Sequence, residues 1–165
     1  MLYVLLLACG DKDTGSSADD TGPADTSEDS GAPDTSSECG VVASGDVDLS
    51  GDAEVAAFCA EYAEVEGMLT IDGVADLSGL SCLCAAGGLV ITDSPDLRTL
   101  AGLEGLESLG SLSISDSPSL EDLSGLTALT SIEGDLTIDD VSSLSSLDGL
   151  SGITAVGGVL TIEDA

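Results

Sequence analysis

The chain has 165 residues and a formal net charge of −30, because two basic residues, Lys12 and Arg98, oppose 32 acids. Nucleic acid and anionic lipid surfaces are recognised through Lys and Arg side chains, so this composition excludes both as partners. The sequence has no His, and aromatic residues make up 2% of it. Histidine is the commonest group in general acid-base catalysis, and aromatic side chains are the ones that stack on sugars in a binding cleft. Because the first is absent and the second are scarce, the composition argues against an enzyme.

The chain begins with a short apolar run that meets a cysteine, MLYVLLLAC. Leu6, Leu7, Ala8 and Cys9 resemble the lipobox of bacterial lipoproteins, which implies that Cys9 is acylated and anchors the chain to a membrane. Export signals carry a basic region and about 7–15 apolar residues, whereas the eight residues before Cys9 are uncharged. We therefore expect the true start to lie upstream, and Gly10 after the cysteine favours the outer membrane of a Gram-negative bacterium.

Residues 10–38 consist almost wholly of Asp, Glu, Ser, Thr, Gly, Ala and Pro, with no large apolar side chain. Nothing in this segment can offset the entropy lost on ordering the backbone, and its acids repel one another. The segment is predicted to be a disordered, extended tether. The folded part then spans residues 39–165, about 125 residues, which is the size of one ordinary domain.

A short amphipathic helix is predicted after Cys39, in the stretch SGDAEVAAFCAEYAEVEG. Ser50 or Asp52 supplies the capping residue, and Gly67 ends the helix. Its apolar residues recur at helical spacing: Val55, Ala56, Phe58, Cys59 and Tyr62.

From Gly67 onward the sequence repeats itself, which is its strongest signal. Repeats start near residues 69, 89, 112, 136 and 160, at steps of 20, 23, 24 and 24 residues, and each begins with the pattern L-x-I. Alternation of this kind predicts a short strand. Stacking the repeats would place each leucine over its counterpart, so we predict a mainly β, parallel solenoid with a continuous aliphatic core.

The leucines that follow each strand are spaced by three, which could also suit a helix. Ser, Thr, Gly and Asp dominate between them, and a glycine sits in each candidate helix at Gly102, Gly125 and Gly149. Corners of a coil explain this composition better than helices do.

Together these residues resemble the receptor L domain family, the leucine-rich domains of the insulin and epidermal growth factor receptor ectodomains, which also occur in bacterial surface proteins. The resemblance rests on Cys39 and Cys59 bracketing a short helix, on EVEGMLTI after the second cysteine, and on repeats reading L-x-x-L-x-G-L-x-x-L-x-x-I-x-G-x-L-T-I. It implies a right-handed β-helix whose open end is capped by the helix and a Cys39–Cys59 disulfide, and it implies recognition without catalysis. Ordinary leucine-rich repeats are the alternative.

Cys82 and Cys84 flank Leu83, which is expected to face inward, so both thiols should point away from the core. They could pair with each other, stay free or compete for Cys59, since four cysteines allow three full pairings. The sequence also ends on LTIEDA with no polar capping repeat. We expect either a fragment or a last repeat that pairs with something else.

Asp93, Asp116, Asp140 and Asp164 follow the leading leucine by four residues in successive repeats. In a solenoid they would stack at about 4.8 Å, and their charges would repel unless a cation intervenes or backbone N–H groups bind them. Oxygen-rich turns suit Ca²⁺, so these four residues are predicted as a weak calcium site. The alternative is a set of solvated Asx-type turns, because no D-x-D-x-D-G loop is present.

Other charged residues of the repeats are assigned to the surface. Asp139 with Asp140, and Glu163 with Asp164, could extend an acidic face toward a basic ligand, or could be the solvated side of the sheet. Arg98 is expected to pair with a neighbouring acid such as Asp96.

The sequence as a whole predicts a non-catalytic surface lipoprotein that presents a leucine-rich solenoid to a protein or glycan ligand, without a resident cofactor other than weak Ca²⁺. Two other classes stay open. The protein could be a structural, anionic surface layer without a specific ligand, or a carbohydrate-active enzyme, since parallel β-helices often host one.

Overall fold

The computed structural model describes residues 40–164. The predicted signal and lipid site (1–9), the predicted tether (10–38) and Cys39 lie outside the described residues. Within them the protein is mainly β, with one parallel sheet and one α-helix. The elements in chain order are β1 (Val42–Ala43), β2 (Val47–Ser50), α1 (Asp52–Phe58), β3 (Glu64–Asp72), β4 (Ala85–Thr92), β5 (Ser108–Leu109), β6 (Leu112–Ile114), β7 (Ser131–Ile132), β8 (Leu136–Ile138), β9 (Ala155–Val156) and β10 (Leu160–Ile162).

The leading leucines of the repeats lie side by side in the sheet, so the predicted parallel pairing of these strands is confirmed. The register joins Leu69 to Leu89, Leu89 to Leu112, Leu112 to Leu136, and Leu136 to Leu160. Strands β3, β4, β6, β8 and β10 therefore form one ladder. In each of them the Leu and the Ile of the L-x-I pattern point to the same face, as the two-residue period of a strand requires.

A second ladder runs beside the first and is not foreseen from the sequence. It joins β1, β3, β4, β5, β7 and β9 through pairs such as Ala86 with Leu109 and Leu109 with Ile132. β3 and β4 are long enough to serve both ladders, whereas each later repeat contributes two separate short strands. The ten-stranded sheet stays open, with β9 and β10 at the two ends of its main path.

One further repeat precedes those read from the sequence. Val47 and Leu49 of β2 pair with Leu69 and Ile71 of β3. The step from Val47 to Leu69 is 22 residues, within the range of the later steps. The stretch VDLSG matches LTIDG in pattern, but α1 interrupts the repeat directly after it, which concealed the match.

The helix is shorter than predicted. α1 ends at Phe58, and its N-cap is Gly51 rather than Ser50 or Asp52. Gly67 does not end the helix, because it lies inside β3, where Val65, Leu69 and Ile71 alternate and are buried. Strand alternation therefore prevails over helical spacing after Cys59, and Tyr62 packs beside Phe58 with ring centroids 5.9 Å apart.

The segments with leucines at every third residue form corners, as predicted. Three of them contain one turn of 3-10 helix, at Ser78–Leu80, Ser124–Leu126 and Asp148–Leu150. The corner glycines permit close contact between neighbouring repeats. A Cβ at Gly125 would lie 1.9 Å from the Leu100 oxygen, and one at Gly149 would lie 1.8 Å from the Leu123 oxygen.

The disulfide differs from the one that the family resemblance implies. Cys59 is bonded to Cys82, with Cα atoms 5.7 Å apart, so the Cys39–Cys59 pairing is wrong. Cys84 is disulfide-bonded as well, which rules out both a free Cys84 and a Cys82–Cys84 bridge. The surviving alternative is the one in which Cys82 competes for Cys59, and the bond ties the end of α1 to the segment before β4.

Candidate functional site

The four predicted aspartates occupy one unusual backbone position in successive repeats. Asp93, Asp116, Asp140 and Asp164 have φ angles of 47°, 49°, 51° and 45°. Among residues 40–164 they are the only non-glycine residues with positive φ. Each follows a strand of the first ladder, so the structure brings them to the same edge, as predicted from their spacing.

Glycines fill the same position in the first two repeats, and this explains the residue type. Gly51 and Gly73 follow Val47 and Leu69 by four residues and have φ angles of 93° and 64°. The left-handed region favours Gly and, among the other residues, Asn and Asp. The turn conformation alone therefore accounts for an aspartate at each of the four later positions.

The residue after each of the first three aspartates turns back into the protein. Ser94 and Ser117 are fully buried, and their hydroxyls donate to the carbonyl oxygens of Thr92 and Ser115, each at 3.0 Å. Val74 and Val141 fill the same position in other repeats and are buried too. These serines therefore have a structural role in the turn and do not line an exposed reactive site.

A shallow groove runs along the aspartate column. It has a volume of about 380 Å³ and is lined by Asp93, Pro95, Asp116, Pro118, Asp140 and Ser142. A carboxylate recurs in each of the three repeats, and a proline ring lies beside it in the first two, so the groove presents negative charge at successive strands. Such a surface suits an extended ligand better than a small compact one.

Negative charge accumulates toward the C-terminal end of the column. One carboxylate oxygen from each of Asp139, Asp140 and Asp164 lies within 4.8 Å of the other two. Repulsion from Asp139 raises the pKa of Asp140 above its usual value, with smaller contributions from desolvation and from Asp116 and Asp164. This grouping includes Asp139, which the calcium prediction omitted, and the predicted Ca²⁺ site at Asp93, Asp116, Asp140 and Asp164 stays a prediction.

Other acids of the described residues hold turns through backbone N–H groups. Asp52 accepts from Ala75 and Asp76 at 2.8 and 3.2 Å, and Asp135 accepts from Val159 at 2.7 Å. Asp122 accepts hydrogen bonds from the hydroxyl and the N–H of Ser124, and these bonds, first that of the hydroxyl, lower the pKa of Asp122. Part of the acidic composition is thus explained by capping of turns and corners.

Arg98 does form an ion pair, but with a different acid from the one expected. Its Nη1 lies 2.9 Å from Glu121 Oε1, and Glu121 belongs to the next repeat. Asp96 is closer in sequence, but position 121 stacks beside position 98, where the Glu121 N–H donates to the Arg98 carbonyl oxygen. Both side chains are exposed, so the pair contributes little to stability.

A second groove, not foreseen from the sequence, lies on the other ladder. It has a volume of about 380 Å³, with a floor of small residues that includes Ala85, Gly87 and Gly110. Glu64, Glu66 and Glu133 line it, and the buried Oε2 of Glu64 has no hydrogen-bond partner among the described residues. Only the second ladder brings these glutamates together, so no local pattern of the sequence indicates them.

Comparisons of the chain with protein-family models, curated proteins and solved structures give no match. Across the described residues, no helix combines the length and apolar character that crossing a membrane requires.

Proposed function

We propose that this chain is a lipid-anchored cell-surface protein whose repeats form a right-handed parallel β-solenoid of the receptor L type, used for recognition or adhesion without catalysis. The observation that carries the proposal is the register of the first ladder. Equivalent residues of five predicted repeats pair with one another, so their outward positions form a regular face of the kind that solenoids use for binding.

The disulfide supports a location outside the cytosol. Cys59 and Cys82 are bonded, and such bonds persist in oxidising compartments. The lipobox-like residues before Cys9 and the acidic composition of residues 10–38 suit a folded domain held away from a membrane by a tether.

Charge and shape support a ligand with cationic groups. Both grooves are lined by carboxylates, and Arg98 is the one basic residue of the repeats. A protein or glycan with spaced amino or guanidinium groups would complement this surface, because opposite potentials favour association and fix its register.

The net charge of −30 also favours a second candidate. A dense anionic layer needs no specific ligand and would repel other anions through its own field. The two candidates differ in saturation and specificity, since a coat captures any cation and loses it as salt rises.

The anchor is tested in a Gram-negative host that expresses the full chain behind a lipoprotein signal ending at Cys9. We expect palmitate label on the protein, loss of the label in Cys9→Ser, and digestion by protease added to intact cells. Label that survives Cys9→Ser, or protein protected on intact cells but digested after lysis, would refute the surface anchor.

Recognition is tested with the purified full chain on arrays of basic peptides, neutral peptides and glycans at low and high salt. We expect saturable binding to one ligand class that weakens in Asp116→Asn, while Asp148→Asn, which lies away from both grooves, binds as wild type. Capture of every cation alike would support the coat. Glycan cleavage would overturn both and favour an enzyme.

A further inference from the structure

Among the described cysteines, Cys84 is bonded to a cysteine outside residues 40–164. Cys84 is disulfide-bonded, and the other two cysteines among residues 40–164, Cys59 and Cys82, are bonded to each other. Within this chain the remaining cysteines are Cys9 and Cys39. The partner of Cys84 is therefore one of these two.

The contacts of Ala63 distinguish Cys39 from Cys9 as the partner of Cys84. Cys84 Sγ lies 3.4 Å from the Ala63 carbonyl oxygen, and the Cys84 N–H donates to the same oxygen at 3.1 Å. On the other side of Ala63, its N–H donates to the Val41 oxygen at 2.9 Å, and a Cβ at Gly40 would lie 3.3 Å from the Ala63 Cβ. Gly40 and the Cys84 sulfur thus contact the same residue.

Cysteines joined by a disulfide have Cα atoms about 4.4–6.8 Å apart. Cys39 directly precedes Gly40, whereas Cys9 precedes it by 31 residues. Closing the longer loop costs more entropy, and no contact among residues 40–164 favours it. We propose that Cys39 and Cys84 form the second disulfide, which leaves Cys9 as the one cysteine of the chain available for lipid.

The bond forms by oxidation of two thiols. The Cys39 and Cys84 sulfurs join, two protons leave, and the electron pair passes to an extracytoplasmic disulfide oxidant, whose own disulfide is reduced to two thiols. This oxidant belongs to the same compartment in which the Cys59–Cys82 bond would form.

The position of the bond gives it a mechanical role, and this part rests on the proposed anchor. β1 holds the start of the described chain through only two residue pairs with β3, and Val41 is 63% exposed. A Cys39–Cys84 bond would join the chain before β1 to the segment that begins β4. Force from a membrane-held tether would then load a covalent bond between repeats instead of the hydrogen bonds of an edge strand.

The experiment is non-reducing peptide mapping of the exported full chain, after alkylation of free thiols with iodoacetamide. Trypsin is of little use with two basic residues, but cleavage after Asp and Glu releases the peptides 39–46, 55–61 and 77–93. We expect these three joined as one species by two disulfides. Electron-transfer fragmentation between Cys82 and Cys84 should place peptide 39–46 on Cys84.

Two variants keep the outcome separate from that of the anchor. Cys39→Ser should make Cys84 react with iodoacetamide while Cys59 and Cys82 stay protected, and Cys9→Ser should leave the three-peptide species unchanged. Cys84 found joined to Cys9, joined to a sulfur outside this chain or alkylated in the wild-type protein would overturn the pairing. Absence of lipid on Cys9 with the three-peptide species intact would instead overturn the anchor alone.

Discussion

The repeats that begin at Leu112 and Leu160 share one motif but differ in burial. Leu112 and Ile114 are 1% and 0% exposed, whereas Leu160 and Ile162 are 57% and 38% exposed. β6 lies between β4 and β8, while β10 pairs with β8 alone. The L-x-I motif itself therefore does not decide how much a leucine contributes to stability, because its burial depends on what covers its repeat.

The largest expected effect tests this difference directly. Leu112→Ala should lower the free energy of unfolding by about 2–5 kcal/mol, because it leaves a cavity in a close-packed interior. Leu160→Ala should lower it by less than about 1 kcal/mol, because more than half of that side chain already meets water. Urea unfolding of the full-length variants measures both, provided that the slope m is unchanged. Equal losses at the two positions would contradict the comparison.

A second prediction concerns the contact between adjacent repeats within the interior. Gly125→Ala should destabilise the protein by about 1–3 kcal/mol, because the new methyl group would overlap the Leu100 carbonyl of the preceding repeat. Gly105→Ala is the matched control, since its Cβ would lie 3.2 Å from the nearest atom, the Leu83 oxygen. We expect the control to lose less stability than Gly125→Ala by the same urea measurement, because a shift of a few tenths of an ångström relieves its contact. If both variants unfold at the same urea concentration, close approach at Gly125 is not required.

A third prediction separates turn conformation from charge. Asp116→Ala should cost about 1–2 kcal/mol, because alanine is disfavoured at the positive φ of this position. Asp116→Gly should be as stable as wild type or more so, since it fits the turn and removes a carboxylate from the column. Thermal unfolding of the two variants, with the same pair at Asp164, provides the measurement. We expect the smaller difference at Asp164, which follows the half-exposed β10.

A different outcome is expected if the carboxylate of Asp116 contributes more to stability than the fit of the residue to positive φ. Asp116→Gly would then lose as much stability as Asp116→Ala. Such a result would favour a bound cation at the column over the turn explanation.

A feature could be predicted from the sequence where its pattern lies within one short segment or recurs at a fixed spacing. The L-x-I strands, their parallel pairing and the aspartate column depend on local pattern and on one repeated spacing, so they could be read directly. The strands Ser108–Leu109 and Ser131–Ile132 could not, because two residues carry no periodicity. The Arg98–Glu121 pair and the Cys59–Cys82 bond each join different repeats, and only the exact register of those repeats determines which side chains meet.

The smallest expected effect is a pair of opposite pH dependences. The pKa of Asp140 is raised above the ordinary value of 3.8, first by Asp139 and also by the exposed Asp116 and Asp164 of the neighbouring repeats. A raised folded-state pKa means that the fold favours the protonated carboxyl, so stability is highest below the unfolded pKa and falls as pH rises through the folded pKa. Asp140→Asn should therefore stabilise the protein at neutral pH and have no such benefit well below pH 3.8.

Asp122 should show the reverse, because its bonds to Ser124 lower its pKa below 3.8. Its carboxylate contributes stability above the unfolded value, and that contribution is lost as pH falls through the folded pKa. Asp122→Asn should therefore be less stable than wild type at neutral pH, with the difference vanishing in acid. Urea midpoints of both variants on each side of the acid transition give the signs. Two variants that shift in the same direction would show that total charge, and not the position of each carboxylate among the repeats, governs the acid response.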